Sequence, residues 1–193
     1  MNTLEEISEL IIDCRNCKLS TTRTHAVPGI GSKKAKIIFI GEAPGKKEDE
    51  RGEPFIGAAG KYLNQLLEIA GLERKNVFIT NIVKCRPPSN RDPLLSEIAA
   101  CSDYLTSQIN VINPRVIVTL GSYSLKHWLP NESISNIHGS LVHINNLSIF
   151  PMYHPAAALY RGNLRQIIED DYKKLGTYIT NLTNLTNLTK NIY

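Results

Sequence analysis

The chain has no apolar run approaching the roughly 18 residues that a membrane-spanning helix needs, so no membrane partner is expected. It shows no basic, apolar leader. The start, MNTLEEISELI, is acidic and amphipathic, which argues against a signal peptide and for a cytoplasmic protein. No G-x-x-x-x-G-K-S/T spacing is present: Gly41 and Gly45 are four apart and Lys46 is followed by Lys47, which excludes a nucleotide-binding phosphate loop of that type. Cysteine is scarce, with four residues and a single C-x-x-C at Cys14 and Cys17. A zinc ribbon needs two such pairs, and Cys85 and Cys101 are spread too widely to form the second. No histidine stands at zinc-finger spacing, and the bacterial ferredoxin run is missing. Charge of either sign is not in excess. A net +4 permits an anionic partner such as nucleic acid without demanding one.

What is there centres on residues 37–60, IIFIGEAPGKKEDERGEPFIGAAG. Ile37–Ile40 reads as a buried strand. The chain then turns through Gly41-Glu42-Ala43-Pro44-Gly45, crosses a charged loop, and enters a helical pattern at Lys61–Ala70 after Pro54-Phe55-Ile56-Gly57. Glycines at a strand exit let backbone approach a ligand closely, and in open α/β sheets that exit is where ligands bind.

The remaining pattern alternates. Leu4–Ile12 is a helical face, and residues 20–35 are loop-like. Strands are predicted at Lys36–Ile40, Asn76–Thr80, Arg115–Leu120 and Leu147–Met152. Helices are predicted up to Gly71, over Leu94–Ile112, briefly after Gly121-Ser122, and over Leu164–Ile179. This order predicts one α/β domain over 1–180 with a parallel sheet and helices on both faces. Residues 181–193 form a low-complexity tail, NLTNLTNLT in its repeating part, read as a fraying helix extension or a disordered end. Gly41, Asn81, Gly121 and His154 each follow a strand, so a parallel sheet brings all four to one edge and one crevice.

Four thiols in a chain of this kind point to a metal more than to a disulfide framework. An iron–sulfur cluster and zinc stay open on spacing alone, beside buried free cysteines packing as small hydrophobes.

Taken together, Cys14-x-x-Cys17, Gly41-Glu42-Ala43-Pro44-Gly45 with Glu48-Asp49, Pro54-Phe55-Ile56-Gly57, Asn81-Ile82-Val83-Lys84-Cys85-Arg86-Pro87-Pro88, Cys101, Leu120-Gly121 and His154-Pro155-Ala156 resemble the family 4 uracil-DNA glycosylases, the iron–sulfur type. The resemblance covers about residues 4–175. It implies a three-layer α/β/α sandwich around a four-stranded parallel sheet, and a 4Fe–4S cluster on Cys14, Cys17, Cys85 and Cys101. Glu42 separates the chain from family 5, whose first motif looks like Gly-Leu-Ala-Pro-Gly. Family 1 positions its water with an aspartate where this chain has Ala43, and excludes thymine with a tyrosine where it has Gly45.

The implied function is repair of DNA by flipping out uracil and hydrolysing its N-glycosidic bond. Phe55 stacks on the flipped ring, Asn81 pairs with N3–H and O4, and backbone at Gly41 and Ala43 completes the cradle. His154 donates to O2 as negative charge grows. Glu42 is the first choice for the water or the cationic sugar. Glu48 is second, or else crowds the 5-methyl of thymine. The segment Pro155–Arg161, read as a loop, offers Leu159 as the wedge that fills the vacated stack, with Arg161 the alternative. Lys84, Arg86 and Arg91 are phosphate contacts. His25, His127, His138 and His143 are structural. The implied partner is uracil-containing DNA, bound by a monomer, with a sliding clamp left open. An iron–sulfur electron carrier and a non-catalytic nucleotide-binding module are the rival readings.

Overall fold

The computed structural model describes residues 3–144 and 147–190, with side chains as far as residue 182. In chain order the elements are α1 (Leu4–Asp13), β1 (Ile30–Gly31), β2 (Ile37–Gly41), α2 (Lys46–Arg51), α3 (Ala58–Ile69), β3 (Phe78–Asn81), α4 (Leu95–Ile112), β4 (Val116–Leu120), α5 (Ser122–Lys126), α6 (Ile134–Ile137), β5 (Val142–Ile144), β6 (Leu147–Met152), α7 (Ala156–Tyr160) and α8 (Leu164–Lys190). The sheet has six strands in the order β1-β3-β2-β4-β6-β5. Its inner four are the four strands expected, and they pair in parallel: Ile38 lies opposite Phe78 and Ile117, and Ile117 opposite Ile149. The expected count of four is corrected to six by an antiparallel strand at each edge, β1 on β3 and β5 on β6. Two and three residues are too few to carry a period-two signal, which is why neither shows in the sequence.

Alternation along β2 divides the core. Ile37 and Phe39 face Leu63, Leu66 and Leu67 of α3 and Tyr172 and Leu175 of α8. Ile38 and Ile40 face Ile7 and Ile11 of α1 and Leu105 and Ile112 of α4. The three layers are thus set by side-chain direction in a buried strand. Each fully buried Leu or Ile contributes about 1.5–3 kcal/mol.

Helix ends follow local chemistry. The Thr3 hydroxyl accepts from Glu6 N–H at 3.2 Å to start α1. Gly71, at φ 68°, ends α3 as expected. The charged stretch after Gly45 is a helix, α2, and not a loop. Its Asp49 is buried because Oδ1 accepts from the backbone N–H of Thr24 at 2.9 Å and of His25 at 3.4 Å. Pro155–Arg161 likewise contains the short helix α7, with Pro155 at its N-cap. The last helix runs to Lys190, past the predicted end at Ile179 and through the NLT repeats. Residues 191–193 of the tail lie outside the described residues. Among the described residues no helix is long and apolar enough to cross a membrane.

Candidate active site

The carboxyl ends of the inner strands open into a cleft of about 530 Å³. Glu42, Ala43, Gly45, Glu48, Phe55, Asn81 and His154 line it, so these separated motifs meet at one place, while Gly121 lines a neighbouring cavity that shares His154. Gly41 lies behind them. It ends β2 opposite Asn81, and its carbonyl is taken by Ile82 N–H at 2.9 Å. A Cβ there would come within 2.4 Å of Asn81 Oδ1 and 2.7 Å of the Phe55 ring, so glycine makes room for both side chains.

Asn81 is 2% exposed. Its Oδ1 is buried without a hydrogen-bond partner among the described residues. A buried acceptor left open costs about 1–3 kcal/mol, and at a cleft it marks where a ligand donor goes.

Phe55 stands above it in a left-handed backbone conformation, φ 53°. That is strained for an aromatic residue. Two features hold it. Glu48 of α2 accepts from Ile56 N–H at 2.9 Å and Gly57 N–H at 2.8 Å through one carboxylate oxygen. Gly60 of α3 sits so close that a Cβ would be 1.8 Å from the Phe55 carbonyl oxygen. The ring is buried, belongs to the α3–α8 core, and still faces the cleft, so it has both of the roles that a sequence must choose between. Its centroid is 5.6 Å from that of His154, with the planes 30° apart.

His154 follows β6 and is half-buried. Burial pulls its pKa down to about 4, with the Glu48 charge opposing. The ring is therefore neutral at pH 7. Its Nδ1 accepts from Ala156 N–H at 3.1 Å. The proton of the neutral ring then sits on Nε2, which is left as a donor.

Glu42 has the opposite perturbation. Burial, and secondarily the charge of Asp92, raises its pKa to about 7. Its backbone carbonyl is fixed by Val83 N–H at 3.1 Å.

Of the second wall the sequence offered Arg91, as a phosphate contact, but gave no role to Asn90, Asp92 or Tyr160; all four line the cleft. Asp92 accepts from the Tyr123 hydroxyl of α5. The available signal was the Pro-rich turn PPSNRDP, where Ser89 and Asn90 take positive φ. On α7, Leu159 is 50% exposed and Tyr160 87%, and Arg161 follows, also exposed. Tyr160, His154 and Arg161 further line a neighbouring cavity of about 420 Å³.

Lys84 corrects an expectation. It does not reach a phosphate surface, because it is buried and its ammonium donates to Thr80 Oγ1 at 2.7 Å, Asn81 O at 2.8 Å and Gln108 Oε1 at 2.8 Å. Burial lowers its pKa to about 7. Arg91 is tied to the Glu97 carboxylate by both terminal nitrogens, at 2.9 and 2.6 Å, and Arg86 to Asn90 Oδ1 at 2.7 Å. The other histidines make structural contacts: His138 with Asp171 at 2.5 Å, His25 with Asp49 O at 3.0 Å, His143 with Ser148, and His127 against Trp128.

The four cysteines come from the end of α1, the turn after it, the segment after β3, and α4. Cys85 and Cys101 are buried, and Cys14 and Cys17 half-buried. They lie within electrostatic reach of one another. Burial raises the Cys85 thiol pKa, and Cys17 and Cys14 raise it further against the nearby Arg23. Burial carries Cys101 to about 11, with Cys85 and Cys17 acting in the same direction. Arg23 Nη1 donates to Cys85 Sγ at 2.9 Å. Among the described residues no three of His, Cys, Asp and Glu close on one point as ligands of a single metal ion do.

Comparison with known proteins agrees with this geometry. Residues 28–176 match the model of the uracil DNA glycosylase superfamily. A type-4 uracil-DNA glycosylase of Sulfurisphaera tokodaii is 53% identical over 185 residues, covering 91% of this chain and 84% of the relative. Those of Archaeoglobus fulgidus and Thermotoga maritima are 45% and 40% identical, each across 91% of this chain and over nine-tenths of their own length. With the strand-end motifs gathered in one cleft and matches of this extent, the chain belongs to the uracil-DNA glycosylase superfamily, among its type-4 members.

Proposed function

We propose that this chain is a DNA repair enzyme that excises uracil from DNA by hydrolysing the bond between the base and the sugar. The observation that carries the reading is the buried, unpartnered Asn81 Oδ1 beneath the Phe55–His154 pair. Uracil presents N3–H as a donor and O4 as an acceptor, and one amide side chain matches both. Cytosine inverts that pattern and leaves the buried acceptor unpaired, so it is rejected.

The uracil is flipped out of the duplex into the cleft. Phe55 supplies the stacking face. As the C1′–N1 bond breaks, the base takes up negative charge, and the Nε2–H of neutral His154 donates to O2, where that charge grows. Glu42 is the group for the water or the cationic sugar. Its raised pKa, about 7, places its titration where a general base works. Glu48 is disfavoured for that role, since an oxygen of its carboxylate already holds the Phe55 loop. Leu159 is the wedge, exposed on α7 at the rim, with Arg161 the alternative.

Cys14, Cys17, Cys85 and Cys101 would hold a 4Fe–4S cluster. Cys85 lies within electrostatic reach of Cys14, Cys17 and Cys101, and four thiolates are the donor set that such a cluster takes. When bound, the cluster supplies a covalent tie between the end of α1 and the segments carrying Cys85 and Cys101. Residues 1–180 act as one catalytic domain, and the chain acts as a monomer.

The test is incubation with a uracil-containing oligonucleotide followed by alkali, which cleaves at abasic sites. Strand cleavage at the uracil position is expected. Intact strands from folded, iron-loaded protein would leave an electron carrier or a binding module as the better reading.

A further inference from the structure

Asn81 has an unusual problem. The oxygen assigned to the base has no partner of its own, so its side-chain hydrogen bonds do not fix where it points. Its position must come from the backbone. On one side β3 supplies this, pairing Asn81 with Gly41. On the other side the strand has ended. There the carbonyl of Asn81 receives the Lys84 ammonium at 2.8 Å.

Lys84 is the one lysine buried among the described residues, at 1% exposure. An ammonium has three donors, and all are used: on Asn81 O, Thr80 Oγ1 and Gln108 Oε1. None of these acceptors is a carboxylate. Cys101 acts on it through space, but no carboxylate among the described residues is bonded to it; burying an ammonium in this way is costly, and an apolar side chain of the same length fills the space at less cost. The network is anchored at its far end. Thr80 Oγ1 donates to Pro28 O at 2.9 Å and Gln108 Nε2 donates to the same carbonyl at 2.8 Å. A fixed point in the loop before β1 is thus carried through Thr80 and Lys84 to the peptide that bears Asn81, while Gln108 is a parallel tie to the same carbonyl whose loss leaves that path intact.

We propose that Lys84 is a positioning residue for base recognition, holding the Asn81 carbonyl so that the Asn81 amide keeps its aim into the cleft. This rests on the reading that Asn81 recognises the base. Gln108 belongs to the same network but does not touch Asn81, which separates positioning from stability.

The experiment is a double-mutant cycle on the full chain, read as single-turnover excision, with iron content and thermal unfolding measured for every variant. Lys84→Met keeps the length and removes the donors. It is expected to slow excision about tenfold or more in the Asn81 parent and less than about twofold in an Asn81→Ala background, because residues acting as a unit are not additive. Gln108→Leu is expected to lower the unfolding temperature while leaving excision within about twofold. Equal losses for Lys84→Met in both backgrounds overturn the proposal, as does unchanged excision. If Lys84→Met does not fold, Gln108→Leu decides: a tenfold loss that persists in the Asn81→Ala background makes the network core packing and overturns the proposal, and excision within twofold supports it. A parent without excision overturns the functional reading and this inference with it, whereas an active parent with an additive cycle overturns this inference alone.

Discussion

Replacing His154 by alanine separates chemistry from binding. The side chain makes two contacts in the resting protein. Its Nδ1 accepts from Ala156 N–H at 3.1 Å, a bond whose loss costs about 0.5–1.5 kcal/mol. Its ring sits 5.6 Å from that of Phe55, worth about another 0.5–1.5 kcal/mol. Against a typical stability of about 5–15 kcal/mol the variant should fold. In the proposed mechanism the donor on Nε2 is spent on charge that exists only as the bond breaks, so its loss falls on the transition state. One such donor is typically worth about 100- to 1000-fold in rate. The assay is single-turnover excision, with affinity for uracil-containing DNA measured separately and thermal unfolding as the control. A folded His154→Ala that excises at the parent rate and only binds more weakly would falsify the mechanism and make His154 a DNA-positioning group. If that variant is unfolded, His154→Asn, which keeps a donor, carries the test. Acid stability has a defined sign. The folded pKa of about 4 lies below the ordinary value, so the stabilisation is full above about 6.5 and is lost as pH falls through about 4.

Three further outcomes are expected. The excision rate should rise with pH through about 7 as Glu42, faced by Asp92 and by Tyr123, loses its proton, and Glu42→Gln should abolish that limb; a limb that survives the substitution belongs to another group. Asn81→Asp exchanges the amide donor for an acceptor and should weaken uracil recognition by about 1–3 kcal/mol, and parent-like single-turnover excision would remove Asn81 from the pocket. Anaerobically prepared protein should be brown with about four irons per chain, and Cys85→Ala should lower the unfolding temperature more than it alters excision by the folded fraction; stoichiometric zinc without iron contradicts this.

The inner sheet was legible because its strands are short, apolar and bounded by turn residues, and the assignment of Leu147–Met152 matches β6 residue for residue. The crevice was legible for a topological reason: parallel strands deliver their exits to one edge whatever the loops do. What escaped depends on tertiary bonds. The stretch after Gly45 is charged and looks solvated, yet it is helical because Asp49 and Glu48 spend their carboxylates on distant backbone N–H groups. Lys84 looks like a surface cation beside Arg86, and only the fold shows Gln108 and Thr80 closing around it. Asn90, Asp92 and Tyr160 occupy the second wall through loop geometry that no periodicity encodes.

In the proposed mechanism the two carboxylates of the cleft divide the work of one short motif. Glu42 and Glu48 are six residues apart, and by residue type either suits a base. Their surroundings separate them. Glu48 receives two backbone N–H bonds, which fix the loop that strains Phe55 into place. Glu42 is held away from water near the negative Asp92, so its charged form is disfavoured until pH approaches 7. A permanently engaged carboxylate is suited to hold geometry, and one poised near neutrality is suited to take a proton from water. The same division accounts for His154, which lies near the Glu48 charge and yet stays neutral because burial outweighs it. A neutral donor beside an available base is the pairing that a departing anion and an incoming water require.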